Sequence, residues 1–368
     1  MDPSKILRQR LLSEHLVGAP LESATDVVSW FGAVQAQDYA GSKWGLGQRM
    51  AAGTTDAQLD RLFDEGVILR THVMRPTWHF VTPADIRWLL ALTGPRVLAA
   101  SAPRYRQLEL DPATMRKSAR VIVKALEGGN CLTRGELGER LERAGISTEG
   151  QRLPHQLMHA ELEGLICSGP RNGKQQTYAL LEERVPEAEP IDPQAALAEL
   201  ARRYFESHGP ATPQDFAWWS GLTVGDARTG AKLNGDALVT EEVDGRSYHF
   251  APTAGTQVRL RIPTAHLLPN FDEYLVGYKR HAPVSDSQQL GGVDRIAPAL
   301  QRHVILMNGR IVGGWRRTVR KDHVQVEANP LTDLNPREWE ELERVASGCA
   351  RFIGLPLAEL VRLPRRSR

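Results

Sequence analysis

With 368 residues, 41% of them apolar and 24% charged, the chain is long enough for two or three compact units and has neither a disordered nor a membrane composition. A formal net charge of +2 excludes a uniformly basic nucleic-acid coat, so a DNA binder of this composition must gather its basic residues on one face. The three cysteines, Cys131, Cys167 and Cys349, have no CxxC spacing, and no apolar leader or run of roughly 18 apolar residues is present. These features point to a cytoplasmic chain with reduced thiols, without membrane association, bound metal or cofactor.

Three helix-turn-helix units, each followed by extended sequence, are expected in chain order. The first, residues 1–105, begins with helices near 5–16 and 23–34 that lead into Gln35-Ala36-Gln37. The pattern continues through the helix at Thr55–Phe63 and a β-rich run over 67–81, and Thr82-Pro83 opens a further helix. The second unit, 106–182, has a helix near 115–127 that stops at Gly128-Gly129. Thr133 and Glu136 have capping-box spacing, and a helix over 154–163 stands in the place of a recognition helix. Two strands, 165–167 and 176–180, flank a Gly/Pro/Asn turn and make a wing. Residues 183–194 read as an acidic, proline-punctuated linker. The third unit, 195–368, has helices near 195–208, 212–219 and 223–228, and then a hairpin over 237–251 turning at Asp244-Gly245. A second meander over 303–328 extends it. The expected fold class is therefore mainly α with small β-sheets (α+β), with three tandem winged helices around a concave DNA-binding surface.

The glutamine pair is the most unusual local feature. Each amide offers an acceptor oxygen and two donor hydrogens but has no proton to exchange near neutral pH, so the pair can hold a water or a polar substrate edge without acting as a strong base. In an extended segment Gln35 and Gln37 share one side, and Asp38, the rival general base, faces the other. His79, in Thr77-Trp-His-Phe-Val81, lines the same cleft or is a half-buried satisfied histidine; the sequence allows both. In Asn270-Phe-Asp-Glu-Tyr274, Asp272 and Glu273 read as acid/base candidates or as anchors for arginines between units. The i,i+4 pair His155 and His159 lacks a third ligand for a metal. Residues 302–325 hold Arg302, Arg310, Arg316, Arg317, Arg320 and Lys321 against Asp322 alone. A hairpin tip over Arg317–His323, including His323 itself, is expected to reach phosphates or a minor groove. Arg171 and Lys174 at the second wing and Arg75 complete the candidate DNA-binding set, and the C-terminal arginines from Arg362 onward read as a frayed tail.

The glutamine segment, Trp44-Gly-Leu46, Leu69–Val81 and Phe271–Leu275 together resemble the AlkZ/YcaQ family of winged-helix DNA glycosylases, over about residues 5–362. The Gln-aliphatic-Gln form is similar to the AlkZ branch; the YcaQ branch has Asp at the position of Gln37. The resemblance implies three winged helices and Gln35 and Gln37 as catalytic residues; it does not make Asp38 catalytic, and Asp38 and His79 stand as candidates for support on their place in the sequence alone. It also implies a monomeric, nucleoid-associated enzyme acting on double-stranded DNA with alkylated or crosslinked purines. A purine alkylated at N7 or N3 is cationic and already activated as a leaving group, so positioned water and preorganised dipoles suffice. Lys43 is the lysine nearest the pair and lies outside it, which favours a monofunctional glycosylase over a Schiff-base lyase. A non-enzymatic winged-helix transcriptional regulator stays open as the alternative, with the glutamine pair as the discriminating feature.

Overall fold

The computed structural model describes residues 3–185, 188–252, 262–279 and 303–363. Arg302, linker residues Pro186 and Glu187, and the tail from residue 364 lie outside them. Among the described residues the fold mixes helices with four sheets, an α+β arrangement.

Helix α1 spans Pro3–Ser13, and α2, Ala24–Phe31, starts in a capping box between Ser23 and Asp26. Gly32, at φ 79°, ends α2 at Phe31 rather than at the expected residue 34. Val34–Gln35 is thereby freed as strand β1. Helices α3 (Tyr39–Gly47) and α4 (Asp56–Asp64) follow, then β2 (Leu69–His72) and β3 (Trp78–Val81). These strands form a sheet in the order β1-β3-β2. Helix α5, Pro83–Gln107, starts with Pro at its first position as expected.

Next come α6 (Pro112–Leu126), β4 (Leu132–Thr133), α7 (Arg134–Arg143), α8 (Arg152–Leu162), β5 (Ile166–Ser168) and β6 (Thr177–Leu180). Thr133 and Glu136 make the expected capping box. Ile122, Leu137, Leu141, Leu157, Ile166 and Leu180 form this segment's own core. After the short α9 (Leu181–Arg184) come α10 (Pro193–Ser207), α11 (Pro213–Ser220), α12 (Val224–Leu233) and the hairpin β7 (Val239–Val243) to β8 (Arg246–Phe250). Gly221 closes α11 at φ 73°, and a methyl group there would overlap the carbonyl oxygen of Met74. Close approach of the β2–β3 connection to α11 thus depends on glycine.

The last sheet has five strands in the order β13-β12-β11-β10-β9. They are β9 (Ala265–Leu268), β10 (Val304–Met307), β11 (Arg310–Val319), β12 (Val324–Pro330) and β13 (Leu357–Arg362), and β13 joins parallel to β12. Helix α13 (Glu273–Val276) follows β9, and α14 (Pro336–Ile353) covers the sheet. Arg362, expected in a frayed tail, instead belongs to β13 and lies 4.6 Å over the Trp339 ring. Its strand pairing replaces solvent as the backbone's partner.

One core unites the two ends of the chain, with Val28, Phe31, Leu46 and Phe80 packed with Leu267, Trp315, Leu342 and Phe352. The buried indoles of Trp44 and Trp315 donate to the carbonyls of Leu267 and Leu268 at 2.7 and 2.8 Å. Those bonds fix β9 against α3, so the turn after β9 delivers Asp272 and Glu273 beneath the glutamine segment.

Candidate functional site

Registers Gln35↔His79 and His79↔Thr71 place three polar side chains abreast on one face of the first sheet. Gln35 is 5% exposed, and His79 and Thr71 are fully buried. Gln35 Oε1, His79 Nε2 and Thr71 Oγ1 are all buried without hydrogen-bond partners, as are Thr77 Oγ1 and the Nε and Nη2 of Arg75. Buried polar atoms are normally satisfied, so this cluster makes the face a candidate site. A cavity of about 10 Å³, the size of one water molecule, is lined by Gln35, Ser42, Asn270 and Glu273 among others. Asn270 Oδ1 is likewise buried and unpartnered.

The backbone around Gln35 is held firmly. Its N–H donates to Glu273 Oε1 at 2.5 Å, and its carbonyl accepts from the Ser42 hydroxyl at 2.9 Å. Glu273 is 1% exposed; its Oε2 accepts from Trp219 Nε1 at 2.8 Å and lies 3.3 Å from His208 Nε2. Burial alone would push this carboxyl up, but His208 and the hydrogen bond from the Gln35 amide hold it below the usual carboxylate range.

Gln37 occupies a different environment. It is exposed, and its Oε1 accepts weakly from the Trp78 amide at 3.4 Å. The expected common side for the two glutamines thus gives way to one buried and one exposed amide, because α3 begins almost at once. Asp38 is the N-cap of α3, accepting the Gly41 amide at 3.0 Å, which spends its carboxylate on the helix. His79 Nδ1 lies 2.9 Å from the Thr77 carbonyl and so holds the ring proton, leaving Nε2 as an acceptor. Burial, reinforced by Arg75, lowers its pKa to about 3. His79 is therefore neutral, and of its two sequence readings the satisfied histidine fails at Nε2.

Asp272 answers to the anchoring role. Both its oxygens accept from Arg49, at 2.9 and 2.8 Å, and Arg49 also binds the Glu14 carboxylate at 2.8 Å. This triad joins α1, α3 and the cap of α13, which Asp272 also provides. Lys43 is 3% exposed and locked between Asp56, at 2.9 Å, and Asp60, at 2.5 Å.

The basic candidates separate into two groups. Arg320 and Lys321 are exposed in the β11–β12 turn, where His323 lies 2.8 Å from Asp322. Arg317, expected at the tip, stands with Arg316 on β11 itself, because the strand continues to Val319. Arg316 pairs with Glu327 at 2.7 Å. Arg317 donates to the Ala40 carbonyl at 3.2 Å and to Cys349 Sγ at 3.7 Å, tying the hairpin to the start of α3. Lys174 is exposed at its turn, but Arg171 folds back onto Asp60 and Asp64 at 2.7 and 2.8 Å. Arg75 lies between His79 and the half-exposed Trp218, whose ring centroid is 6.0 Å away. No group of metal-ligating side chains occurs among the described residues. No helix of the described residues is long and apolar enough to cross a membrane.

Sequence reasoning missed Thr71, Asn270 and His208. Alternation through the β-rich run could have exposed Thr71 as a partner of His79, whereas Asn270 and His208 reach the site only through long-range packing.

A larger cavity of about 880 Å³ lies between α11, α12 and the β7–β8 hairpin and is lined by none of the glutamine row. The glutamine row and its supporting charges are therefore the better candidate for chemistry.

The fold is similar to that of Streptomyces sahachiroi DNA glycosylase AlkZ, with a TM-score of 0.79 over 99% of this chain and 100% of that one, at 22% identity. A search of curated proteins gave no match. The family profile described as DNA glycosylase AlkZ-like matches residues 28–352, which include the glutamine pair, His79 and Glu273. The chain belongs to the AlkZ-like family of DNA glycosylases, and this membership implies glycosidase action on DNA.

Proposed function

We propose that this protein is a monofunctional DNA glycosylase that hydrolyses the N-glycosidic bond of cationic N7- or N3-alkylated purines in duplex DNA. Gln35 and Gln37 are its catalytic residues. The observation that carries the reading is the buried, unpartnered Oε1 of Gln35 beside a cavity of water size. An amide oxygen there can orient a water toward the sugar carbon but cannot take its proton at neutral pH. The neighbouring carboxylates have other partners: Asp38 caps α3, Asp272 binds Arg49, and Glu273 accepts from Gln35 and Trp219. Such a neutral site suits a base that already carries positive charge and leaves without an acid. The burial and double pairing of Lys43 argue against a Schiff-base lyase step.

Helix-strand-helix-helix-hairpin order over 112–180, and its variants before and after, support reading the chain as three winged helices at 1–105, 106–182 and 195–368, joined by the linker at 183–194. The exposed Arg320 and Lys321, with Lys174, are the strongest phosphate contacts; Arg316, Arg317, His323 and Arg171 bind DNA only by exchanging or sharing their present partners, and Arg75 offers its unpartnered Nε and Nη2. The same chemistry extends to unhooking interstrand crosslinks joined through N-alkylated purines. The enzyme acts as a monomer in the cytoplasm, at the nucleoid, in base excision repair of alkylation damage. Asp38 and His79 are its candidates for catalytic support, of which His79 has the unpartnered Nε2 and Asp38 is engaged as the cap of α3.

The test is release of 7-methylguanine from alkylated duplex DNA by the wild type, Gln35→Ala and Gln37→Ala. Each substitution should slow single-turnover release roughly 10²–10³-fold, the usual effect of losing one preorganised polar group. The product should be an intact strand with an abasic site, and borohydride should trap no protein–DNA adduct. A wild type that binds duplex DNA but frees no base would support the regulator reading instead.

A further inference from the structure

We propose that Glu273 is a positioning residue for Gln35, holding the glutamine's backbone amide so that its side chain stays abreast of His79 and Thr71. The inference rests on the assignment of Gln35 as catalytic. Three independent features converge on it. First, the carboxylate reaches Gln35 N at 2.5 Å across 238 residues of sequence, and the β1 strand it grips is only two residues long. So short a strand cannot define its own register by cross-strand pairing alone. Second, the other oxygen is filled by Trp219 Nε1 at 2.8 Å and approached by His208 Nε2 at 3.3 Å, so the carboxylate cannot swing away. Third, Glu273 is 1% exposed and makes no salt bridge to a lysine or arginine among the described residues. Burying a carboxylate without a cationic partner is a poor way to stabilise a fold, since well-packed apolar groups do as well or better. Its donors instead include the backbone of the one buried glutamine in the site.

Geometry also gives the charge a second consequence. A fixed anion behind Gln35 favours any positive charge that grows in front of it, and glycosidic cleavage of an alkylated purine develops such charge on the sugar. Glu273 acts through Gln35 and need not touch the substrate.

The experiment compares wild type with Glu273→Gln, Trp219→Phe, Gln35→Ala and the Glu273→Gln/Gln35→Ala double variant on duplex DNA containing 7-methylguanine. Glu273→Gln keeps an oxygen for the Gln35 amide but loses the charge and turns an N–H toward Trp219. It should slow single-turnover release about 30-fold or more, leave duplex Kd within about twofold, and lower the rate by one factor from pH 6 to 8. Trp219→Phe should lose several-fold, with the same unchanged Kd. The double variant should be no slower than Gln35→Ala alone, because residues that act as a unit are not additive. Wild-type release by Glu273→Gln, or losses that multiply in the double variant, overturns the proposal. Hydrogen exchange of the segment around residues 33–37 tests the placement without substrate. Faster exchange in Glu273→Gln is expected, and exchange as slow as wild type overturns the proposal even if release falls. If wild type frees no base at all, the glycosylase assignment fails, while the exchange measurement still decides the contact.

Discussion

Replacing Arg49 by methionine should destabilise the protein severely, and its surroundings give the scale. Arg49 is 3% exposed and donates to the Glu14 carbonyl, the Gly45 carbonyl, both oxygens of Asp272 and the Glu14 carboxylate. Methionine matches much of the volume but satisfies none of these acceptors. Glu14 and Asp272, fully buried and 5% exposed respectively, would then face each other without a cation. Removing one partner of a buried ion pair costs about 3–5 kcal/mol because the remaining charge is uncompensated. At roughly 2–4 °C per kcal/mol for a chain above about 150 residues, the melting midpoint should fall by about 10 °C. Urea unfolding at pH 7 measures this directly, with the midpoint lowered and the slope unchanged. Burial, only partly offset by Arg49, lifts Glu14 to about 8, so at pH 7 without the guanidinium Glu14 is protonated, the uncompensated charge sits on Asp272, and Glu14→Gln should recover little in the Arg49→Met background. Because Asp272 caps the helix bearing Glu273, base release should fall more than DNA binding at a permissive temperature. A loss below about 1 kcal/mol would place the triad with ordinary surface pairs and refute the reasoning.

Two further outcomes follow from charge. His79 and His266 are buried and lowered to about 3 and about 4, below their unfolded value of 6.5, so the unfolded chain binds more protons in that interval. Stability should therefore be complete above pH 6.5 and fall as pH drops, by up to about 1.4 kcal/mol per pH unit for each group; acid unfolding of His79→Gln that begins at the same pH as wild type would contradict this for His79. On the hairpin, Arg320→Ala with Lys321→Ala should flatten the salt dependence of duplex binding by about two phosphate contacts, each worth a slope near 0.9. Arg317→Ala, whose partners are Ala40 and Cys349, should lower thermal stability while moving that slope less, and a slope change equal to the double variant would show that Arg317 leaves those partners on DNA.

Much of the local architecture was legible from residue spacing. The Thr133–Glu136 capping box, the Asp244-Gly245 turn and the helix start at Thr82-Pro83 act through bonds a few residues long, which sequence spacing controls directly. The helix at Pro336–Ile353, absent from the sequence expectations, carries equally local signals, with Asn335 as cap, Pro336 at the first position and Glu338 closing a capping box. The glutamine segment stood out because two neutral amides at that spacing serve no helix or strand need.

What that segment does with its surroundings was decided elsewhere. Chain spacing suggested that Gln35 and Gln37 share a side, but Gly32 and the cap at Asp38 confine the strand and leave one amide buried and the other exposed. Arg171 looked like a free wing-tip cation until α4 brought Asp60 and Asp64 to it. Glu273 and Gln35, Arg49 and Asp272, and Arg317 and Ala40 are separated by 238, 223 and 277 residues. Contacts of that kind leave no periodic trace, since they exist only after apolar faces from both ends of the chain have packed into one core. The sequence by itself determined the elements and the chemistry on offer; tertiary packing alone decided which polar groups were spent on the fold and which were left for a substrate.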